Sequence, residues 1–218
     1  MSGEENSTQG IYSKNSIEFV TVAAETCLFL ENAASFSKAD FLQRALKILP
    51  LLYLKTSLTD CPETILEEEP ERFITENDYE MVKIAISSIL GYSDRYLEVF
   101  HPDIQLSEEG IATDISENLA DIYQDLKDFL LCYQIGNEEV MNDALAFCLN
   151  SFKEYWGQRL VNCMRALHNA FYNRDETIAE DSSEDENNES NLKQSFLSHQ
   201  HSESLEAYLN SLNATNED

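Results

Sequence analysis

The chain has 218 residues, enough for one domain with a substantial core and a modest extension. Its 14 basic and 41 acidic residues give a formal net charge of −27, which disfavours binding to nucleic acids or to an anionic membrane surface. With 43% hydrophobic residues and few glycines and prolines, the composition excludes a wholly disordered chain and favours a helical fold.

Hydrophobic residues at helical spacing predict three helices in the first half of the chain. The first runs from near Asn15 to about Ala34. The second and third are predicted to begin at the capping residues Ser37 and Thr75, each followed three residues later by an aspartate. The residues predicted to face the core from the first helix are Ile17, Val20, Ala24, Cys27 and Leu28.

Two longer helices are predicted in the second half of the chain. The fourth spans roughly Ala112 to Ile135, with Gly136 in the position of a C-terminal cap. The fifth begins at Asn137 and runs to about Tyr172. Because no stretch shows the two-residue alternation of a β-strand, the predicted fold class is all-α, an antiparallel bundle of about five helices.

The composition changes beyond the fifth helix. Residues 174–218 are strongly acidic and residues 175–191 contain almost no apolar side chains, which predicts a disordered acidic tail. Residues 192–212 carry the pattern of a weak amphipathic helix. The predicted organisation is thus a flexible N-terminus at residues 1–14, a helical bundle domain at residues 15–173, and the tail.

Several features bear on the compartment. The N-terminal residues have neither the basic nor the apolar region of a signal peptide, and no apolar run approaches the roughly 20 residues that span a membrane. The five cysteines are odd in number and include no C-x-x-C pair, which is typical of reduced, buried thiols. We therefore expect a cytoplasmic protein that binds neither membranes nor nucleic acids.

Parts of these helices resemble a known family. The matching stretches are Ile17–Glu25, Leu49–Lys55, Ile115–Phe129, Gly136–Leu145 and Tyr155–Asn162. They are similar to a bacterial family described only as a domain of unknown function, number five thousand and sixty-three. The resemblance covers nearly the whole body of the chain and leaves out the acidic tail. It implies an all-helical domain in a bacterial cytoplasm, and it implies no known activity.

The fourth helix has a stripe of acidic residues beside its apolar face. At about 100° per residue, five carboxylates share this side of the helix. They are Asp114, Glu117, Asp121, Asp125 and Asp128. Like charges at this spacing destabilise a helix by a few tenths of a kcal/mol per pair, approximately. Three interpretations remain open: a solvated face, ion pairs to a neighbouring helix, or a site in which Glu117, Asp121 and Asp125 hold Mg²⁺ or Mn²⁺.

Arg159 lies within the apolar face of the fifth helix. Because a desolvated guanidinium needs acceptors, we expect a salt bridge that fixes the helix register. The candidate acceptors are Asp121, Asp125, Glu31 and Glu25. The alternative is an anion-binding pocket, whose further members would be Tyr155, Trp156 and Asn162.

Two other patterns carry less chemical information. Glu98 and His101 have the spacing of a di-iron ligand pair, but such a site needs a second copy. Glu138, Glu139 and Asp143 lie in the first turns of the fifth helix, where acidic residues are expected anyway. The sequence contains no glycine-rich phosphate loop and no H-E-x-x-H motif.

The sequence therefore favours a noncatalytic protein-interaction module with an unidentified protein partner. The candidate binding residues are Glu117, Asp121, Asp125, Arg159 and Trp156. The alternative function is a divalent-metal-dependent hydrolase, acting for example on nucleotides, with the same acidic stripe as its ligands. A weaker hypothesis is mimicry of a nucleic acid by the acidic surface.

Overall fold

A computed structural model describes residues 10–66, 68–98 and 112–173. The helices are α1 (Lys14–Glu31), α2 (Lys38–Ser57), α3 (Glu76–Leu90), α4 (Ile115–Gln134), α5 (Glu138–Ser151) and α6 (Gly157–Tyr172), and the strands are β1 (Arg95–Leu97) and β2 (Ala112–Asp114). The all-α fold class is confirmed. The predicted tail, its helix at residues 192–212 and His101 lie outside the described residues. Within them, no helix is both long and apolar enough to cross a membrane.

The helices begin and end where local chemistry satisfies their free backbone groups. Ser37 accepts a hydrogen bond from the backbone of the first turn of α2, and Thr75 forms a reciprocal capping box with Asp78 at α3. The Asn137 side chain caps α5. Gly136 has a positive φ of 76°, which suits the glycine that follows a helix. These starting points agree with the predicted ones.

Helix α4 lies at the centre of the bundle, in contact with α1, α3, α5 and α6, while α2 packs on α1 and α6. Stacked rings join these layers: Phe19 lies 5.3 Å from Phe129, and Phe29 lies 5.0 Å from Phe41. Before α1, the buried Ile11 also belongs to the core. The core thus extends across all the described helices.

The predicted inner face of the first helix is right only for Cys27, which is buried, and Val20, which is half-buried against the core. Ile17 and Leu28 are 50% and 53% exposed, whereas Phe19, Ala23 and Leu30 are fully buried. Helix α1 packs against α2 on one side and α4 on the other, so its core face is centred on these three residues. The apolar residues on its outer side misled the prediction.

A short β-hairpin also differs from the prediction. Strands β1 and β2 are antiparallel, with Arg95 opposite Asp114 and Leu97 opposite Ala112. The fourth helix consequently begins at Ile115, because residues 112–114 form a strand. Three-residue strands are too short to show alternation in a sequence.

The carboxylate of Asp94 attaches this hairpin to α4. It accepts hydrogen bonds from the Ser116 backbone N–H at 2.8 Å and from the Ser116 hydroxyl at 2.7 Å. Both groups lie in the first turn of α4, where free N–H groups need an acceptor. Asp94 thereby fixes the hairpin at the start of the central helix.

All five cysteines are free thiols, as expected. Cys27, Cys132, Cys148 and Cys163 are buried, and Cys61 is half-buried.

Candidate functional site

The acidic stripe on α4 is not a solvated face. Asp121, Asp125 and Asp128 are half-buried, and each accepts hydrogen bonds from a neighbouring element. Glu117 is exposed to solvent. The stripe is therefore divided among several sets of partners, which explains how the helix tolerates so many like charges.

Asp121 is the acceptor at the centre of a network between three helices. Its carboxylate accepts hydrogen bonds from the Tyr79 hydroxyl at 2.9 Å and the Tyr155 hydroxyl at 3.1 Å. The Arg159 guanidinium lies 2.9 Å from the same carboxylate and also donates to the Asn118 side-chain oxygen at 2.6 Å. The Arg159 guanidinium stacks 4.3 Å from the centre of the Tyr155 ring. The structure thus selects Asp121 from the four predicted acceptors.

The network continues into the hairpin. The Asn118 side-chain amide donates to the Tyr96 hydroxyl at 2.8 Å, and the Asn162 amide donates to Glu98. Burial raises the pKa of Tyr96 and of the two tyrosines that contact Asp121, and the Asp121 charge raises the pKa of those two further. These hydroxyls therefore remain protonated at neutral pH, so those of Tyr79 and Tyr155 can donate to Asp121.

Trp156 is not available to a ligand, contrary to its predicted place in an anion-binding pocket. Its side chain is fully buried, and its indole N–H donates to the Cys148 carbonyl at 3.2 Å. A π-helical turn, Phe152–Trp156, causes this difference because it adds a residue to the helical turn and changes the face that follows. Tyr155 consequently points outward and reaches the acidic stripe.

Gly157 permits this π-helical turn. Its backbone N–H donates to the Phe152 carbonyl five residues earlier. A Cβ at position 157 would lie 2.4 Å from that carbonyl oxygen and 2.9 Å from the Phe152 ring. Only glycine fits this close approach without a shift of the backbone.

The other half of the stripe fastens the connection between α2 and α3, residues 60–74, which we call the strap. Asp128 accepts the backbone N–H groups of Phe73 and Ile74 at 2.7 and 2.9 Å. Asp143 of α5 accepts those of Ile65 and Leu66 at 2.7 and 2.6 Å. Each aspartate thus binds two consecutive amides, one pair in the middle of the strap and one at its C-terminal end.

Asp143 therefore does more than the sequence indicated. The sequence placed it among the acidic residues that are common in a first helical turn, but its side chain is buried against the strap. Asn142 beside it donates to the Glu63 carbonyl at 2.7 Å. One feature of the sequence could have indicated this role: the polar residues Asn142 and Asp143 stand within an otherwise apolar and buried stretch of α5.

A small cavity of about 20 Å³ lies between the strap, α4 and α5. Asp125 and Asp128 contribute its acidic lining, Phe129 and Phe147 contribute apolar walls, and Pro70, Glu71 and Arg72 line it from the strap. The Asp125 carboxylate accepts a hydrogen bond from the Ser151 hydroxyl at 2.6 Å. Burial raises the pKa of Asp125, although Ser151 and Arg72 oppose this effect.

The outer side of the strap is both apolar and acidic. Ile65 and Leu66 are 46% and 41% exposed, and Phe73 is exposed as well. The exposed carboxylates on the strap are those of Asp60, Glu63, Glu68, Glu69 and Glu71. The surface thus combines hydrophobic contact area with a strong negative charge.

The described residues include no group of three His, Cys, Asp or Glu side chains placed to hold a metal ion. Asp121 and Asp125 have separate hydrogen-bond partners, and Glu117 lies in solvent. The predicted alternative ligand set for Mg²⁺ or Mn²⁺ does not come together in this part of the chain.

The fold and the site define an all-helical domain with an acidic connection fastened across its helices. The chain belongs to DUF5063, a domain of unknown function, whose family model matches residues 10–173. This confirms the resemblance seen in the sequence. A crystal structure of protein BF1032 from Bacteroides fragilis is similar, with 48% sequence identity and a TM-score of 0.68 over 77% of this chain and 99% of that chain. No curated protein matches.

Proposed function

We propose that this protein is a noncatalytic protein-interaction module that binds a basic partner segment on the strap. The observation that supports the proposal most directly is the exposure of Ile65 and Leu66 on a connection rich in exposed carboxylates. Apolar area of this kind favours association, and the acidic surroundings favour a positively charged partner.

The attachment of the strap favours binding. Asp128 and Asp143 hold its backbone at four amides, so the exposed side chains project from a fixed segment. A surface that is ordered before association loses less conformational entropy on binding than a flexible loop does. The strap is therefore better suited to recognition than an unattached connection of the same composition.

The net charge of the whole chain also favours a basic partner. A formal net charge of −27 attracts a basic partner over long distances and repels a second acidic copy. We therefore expect fast association that weakens as the salt concentration rises.

Two predicted binding residues have a different part in this proposal. Asp121 and Arg159 bind each other and hold α3, α4 and α6 together. We assign them a role in holding the helices together rather than contact with a partner.

The test is quantitative affinity capture from a lysate of the source organism. The double variant Ile65→Ser, Leu66→Ser removes the apolar part of the strap. A matched control, Leu51→Ser with Leu54→Ser, makes the same changes at exposed residues of α2, which are 42% and 50% exposed. A protein captured by the wild type and by the α2 control, and lost at least about tenfold with the strap variant, supports the proposal.

Both variants must unfold at temperatures close to that of the wild type for this comparison, since their changes are at the surface. Retention of every captured protein by the strap variant would contradict the proposal. Equal loss with the α2 control would contradict the location on the strap.

A further inference from the structure

Helices α2 and α6 differ in charge from the rest of the chain. Residues 41–59 and 155–174 contain no aspartate or glutamate, although 41 of the 218 residues are acidic. They are the two longest stretches of the sequence without an acidic residue. Because α2 and α6 pack side by side, their acid-free parts form one region of the bundle.

We propose that the outer side of α2, together with the exposed side of α6, binds an acidic amphipathic segment of a second partner protein. We call this surface the basic face and define it by Lys47, Leu51, Leu54, Leu58 and Arg165. It is a different surface from the acidic strap, to which we assigned a basic partner.

The outer side of α2 exposes a row of leucines. Leu51, Leu54 and Leu58 are all exposed, and their spacing of three and four residues places them on one side of the helix. Lys47 precedes this row by one turn. A surface helix normally carries polar or charged residues on its outer side, so a row of leucines there marks a contact surface.

Two cations of the basic face have no ion pair within the part of the chain that the structure describes. Lys47 on α2 and Arg165 on α6 are exposed to solvent, and neither forms a salt bridge there. Lys55 differs from them because it is paired with Glu18 at 2.5 Å. The region therefore keeps positive charge that intramolecular carboxylates do not neutralise, and this charge attracts acidic side chains.

The net charge of the whole chain favours a short acidic segment over an extended anionic surface. At physiological ionic strength, charges farther away than about 8 Å are screened, so a short segment is attracted mainly by the nearby cations. A membrane or a nucleic acid extends past the basic face to the acidic parts of the chain, whose net charge of −27 repels it. A helix with apolar residues on one side and carboxylates beside them complements both the leucine row and its cations.

The first test selects peptides from a phage-displayed library of random dodecapeptides on the immobilised full-length protein. The wild type should enrich sequences that combine Asp or Glu with Leu, Ile or Phe at a spacing of three or four residues. The variant Leu51→Ser, Leu54→Ser should lose this enrichment, and the strap variant Ile65→Ser, Leu66→Ser should keep it. If no acidic peptide is enriched, or if the α2 variant still enriches them, the proposal is overturned.

The second test measures the affinity of the most enriched acidic peptide by fluorescence anisotropy. Lys47→Gln with Arg165→Gln should weaken binding at least fivefold, approximately, and should reduce its dependence on salt concentration. The matched control, Lys83→Gln with Arg95→Gln, removes the same total charge from α3 and the hairpin and should leave the dissociation constant within about twofold. Each variant should unfold at a temperature close to that of the wild type, since the changes are at the surface. Equal weakening in the two double variants would overturn the proposal, because binding would then depend on net charge alone.

Three other occupants of the basic face would each overturn the proposal. Wild-type dimers in sedimentation that Leu51→Ser with Leu54→Ser dissociates would assign the face to a second copy of the chain. Binding to phosphatidylserine vesicles that the same variant abolishes would assign it to a membrane. Acidic peptides that bind the full-length variant Leu205→Ser, Leu209→Ser but not the wild type would assign it to the chain's own residues 192–212.

The basic face and the strap can fail separately. In the capture experiment, Leu51→Ser with Leu54→Ser should retain the basic protein that the strap binds. If acidic peptides do not bind while Ile65→Ser with Leu66→Ser still abolishes that capture, the inference about the basic face falls and the function of the strap stands. If acidic peptides bind as expected while capture is insensitive to the strap variant, the reverse holds.

Discussion

The Asp121 carboxylate and the Arg159 guanidinium lie 2.9 Å apart and join the central helix α4 to α6. Their side chains are 16% and 34% exposed, so the pair is partly shielded from solvent. Two tyrosine hydroxyls share the same carboxylate. A single aspartate therefore joins three helices, α3, α4 and α6.

Replacement of Asp121 should destabilise the fold. In Asp121→Ala, the Tyr79 and Tyr155 hydroxyls and the Arg159 guanidinium all lose an acceptor. We expect a loss of about 1 to 3 kcal/mol in the free energy of unfolding, measured by urea denaturation. Glu25→Ala, at an exposed position of α1, is the control and should change stability by less than about 0.5 kcal/mol. Equal effects of the two changes would show that the network contributes nothing.

Removal of either aspartate that holds the strap should loosen only the part of the strap that this aspartate binds. Asp143→Ala should accelerate hydrogen exchange at the amides of Ile65 and Leu66 by about tenfold or more, because each loses a bond to a charged acceptor. Asp128→Ala should accelerate hydrogen exchange in the same way at the amides of Phe73 and Ile74. If either variant accelerated hydrogen exchange equally at both pairs of amides, the two attachments would not be independent.

A methyl group at position 157 should destabilise the π-helical turn. Gly157→Ala places a Cβ 2.4 Å from the Phe152 carbonyl oxygen, so the backbone has to move. We expect a loss of about 1 to 3 kcal/mol in the free energy of unfolding, in the range of overpacked sites. Gly10→Ala is the matched control, since nothing lies within 4 Å of a Cβ there. A Gly157→Ala variant with the same free energy of unfolding as the wild type would contradict the tight geometry of the turn.

The elevated pKa of Asp125 predicts a pH-dependent contribution to stability. Burial raises this pKa above the ordinary aspartate value, so the folded state retains the proton to a higher pH than the unfolded state. Protonated Asp125 therefore makes its full contribution to the free energy of unfolding below the pKa of the unfolded state. This contribution is lost as the pH rises through the pKa of the folded state. The stability of Asp125→Asn relative to the wild type should increase as the pH rises above the ordinary aspartate pKa. A pH-independent difference in chemical denaturation would contradict this assignment.

Native thiols should react with iodoacetamide in an order set by burial. Cys61 is half-buried, whereas Cys27, Cys148 and Cys163 are enclosed in the core, where burial also raises the pKa of each thiol. Mass spectrometry should show that Cys61 is modified first and that these three react only on unfolding. Reaction of Cys148 as fast as Cys61 would contradict the packing of α5.

The sequence predicted the helix starts well because capping is a local interaction. Ser37, Thr75 and Asn137 each satisfy backbone groups two or three residues away. It also predicted that Arg159 needs an acidic partner, since its place on an apolar face requires one. The choice of Asp121 required the packing of α4 against α6.

The attachments of the strap could not be predicted in the same way. Asp128 and Asp143 bind backbone amides 55 and 78 residues away in the chain. Backbone amides have no side-chain signal, so only the fold reveals these acceptors' role. Trp156 was misplaced for a different reason, because the π-helical turn changes the phase of the helical pattern.

Site-specific photo-crosslinking in living cells tests the central claim most directly. Benzoylphenylalanine replaces Leu66 on the strap or, as a control, Tyr172, which is 63% exposed at the end of α6. The account predicts a discrete adduct with a basic protein from position 66, absent from position 172 and reduced by Asp143→Ala. Adducts that form equally at both positions, or only at position 172, would contradict a docking function for the strap.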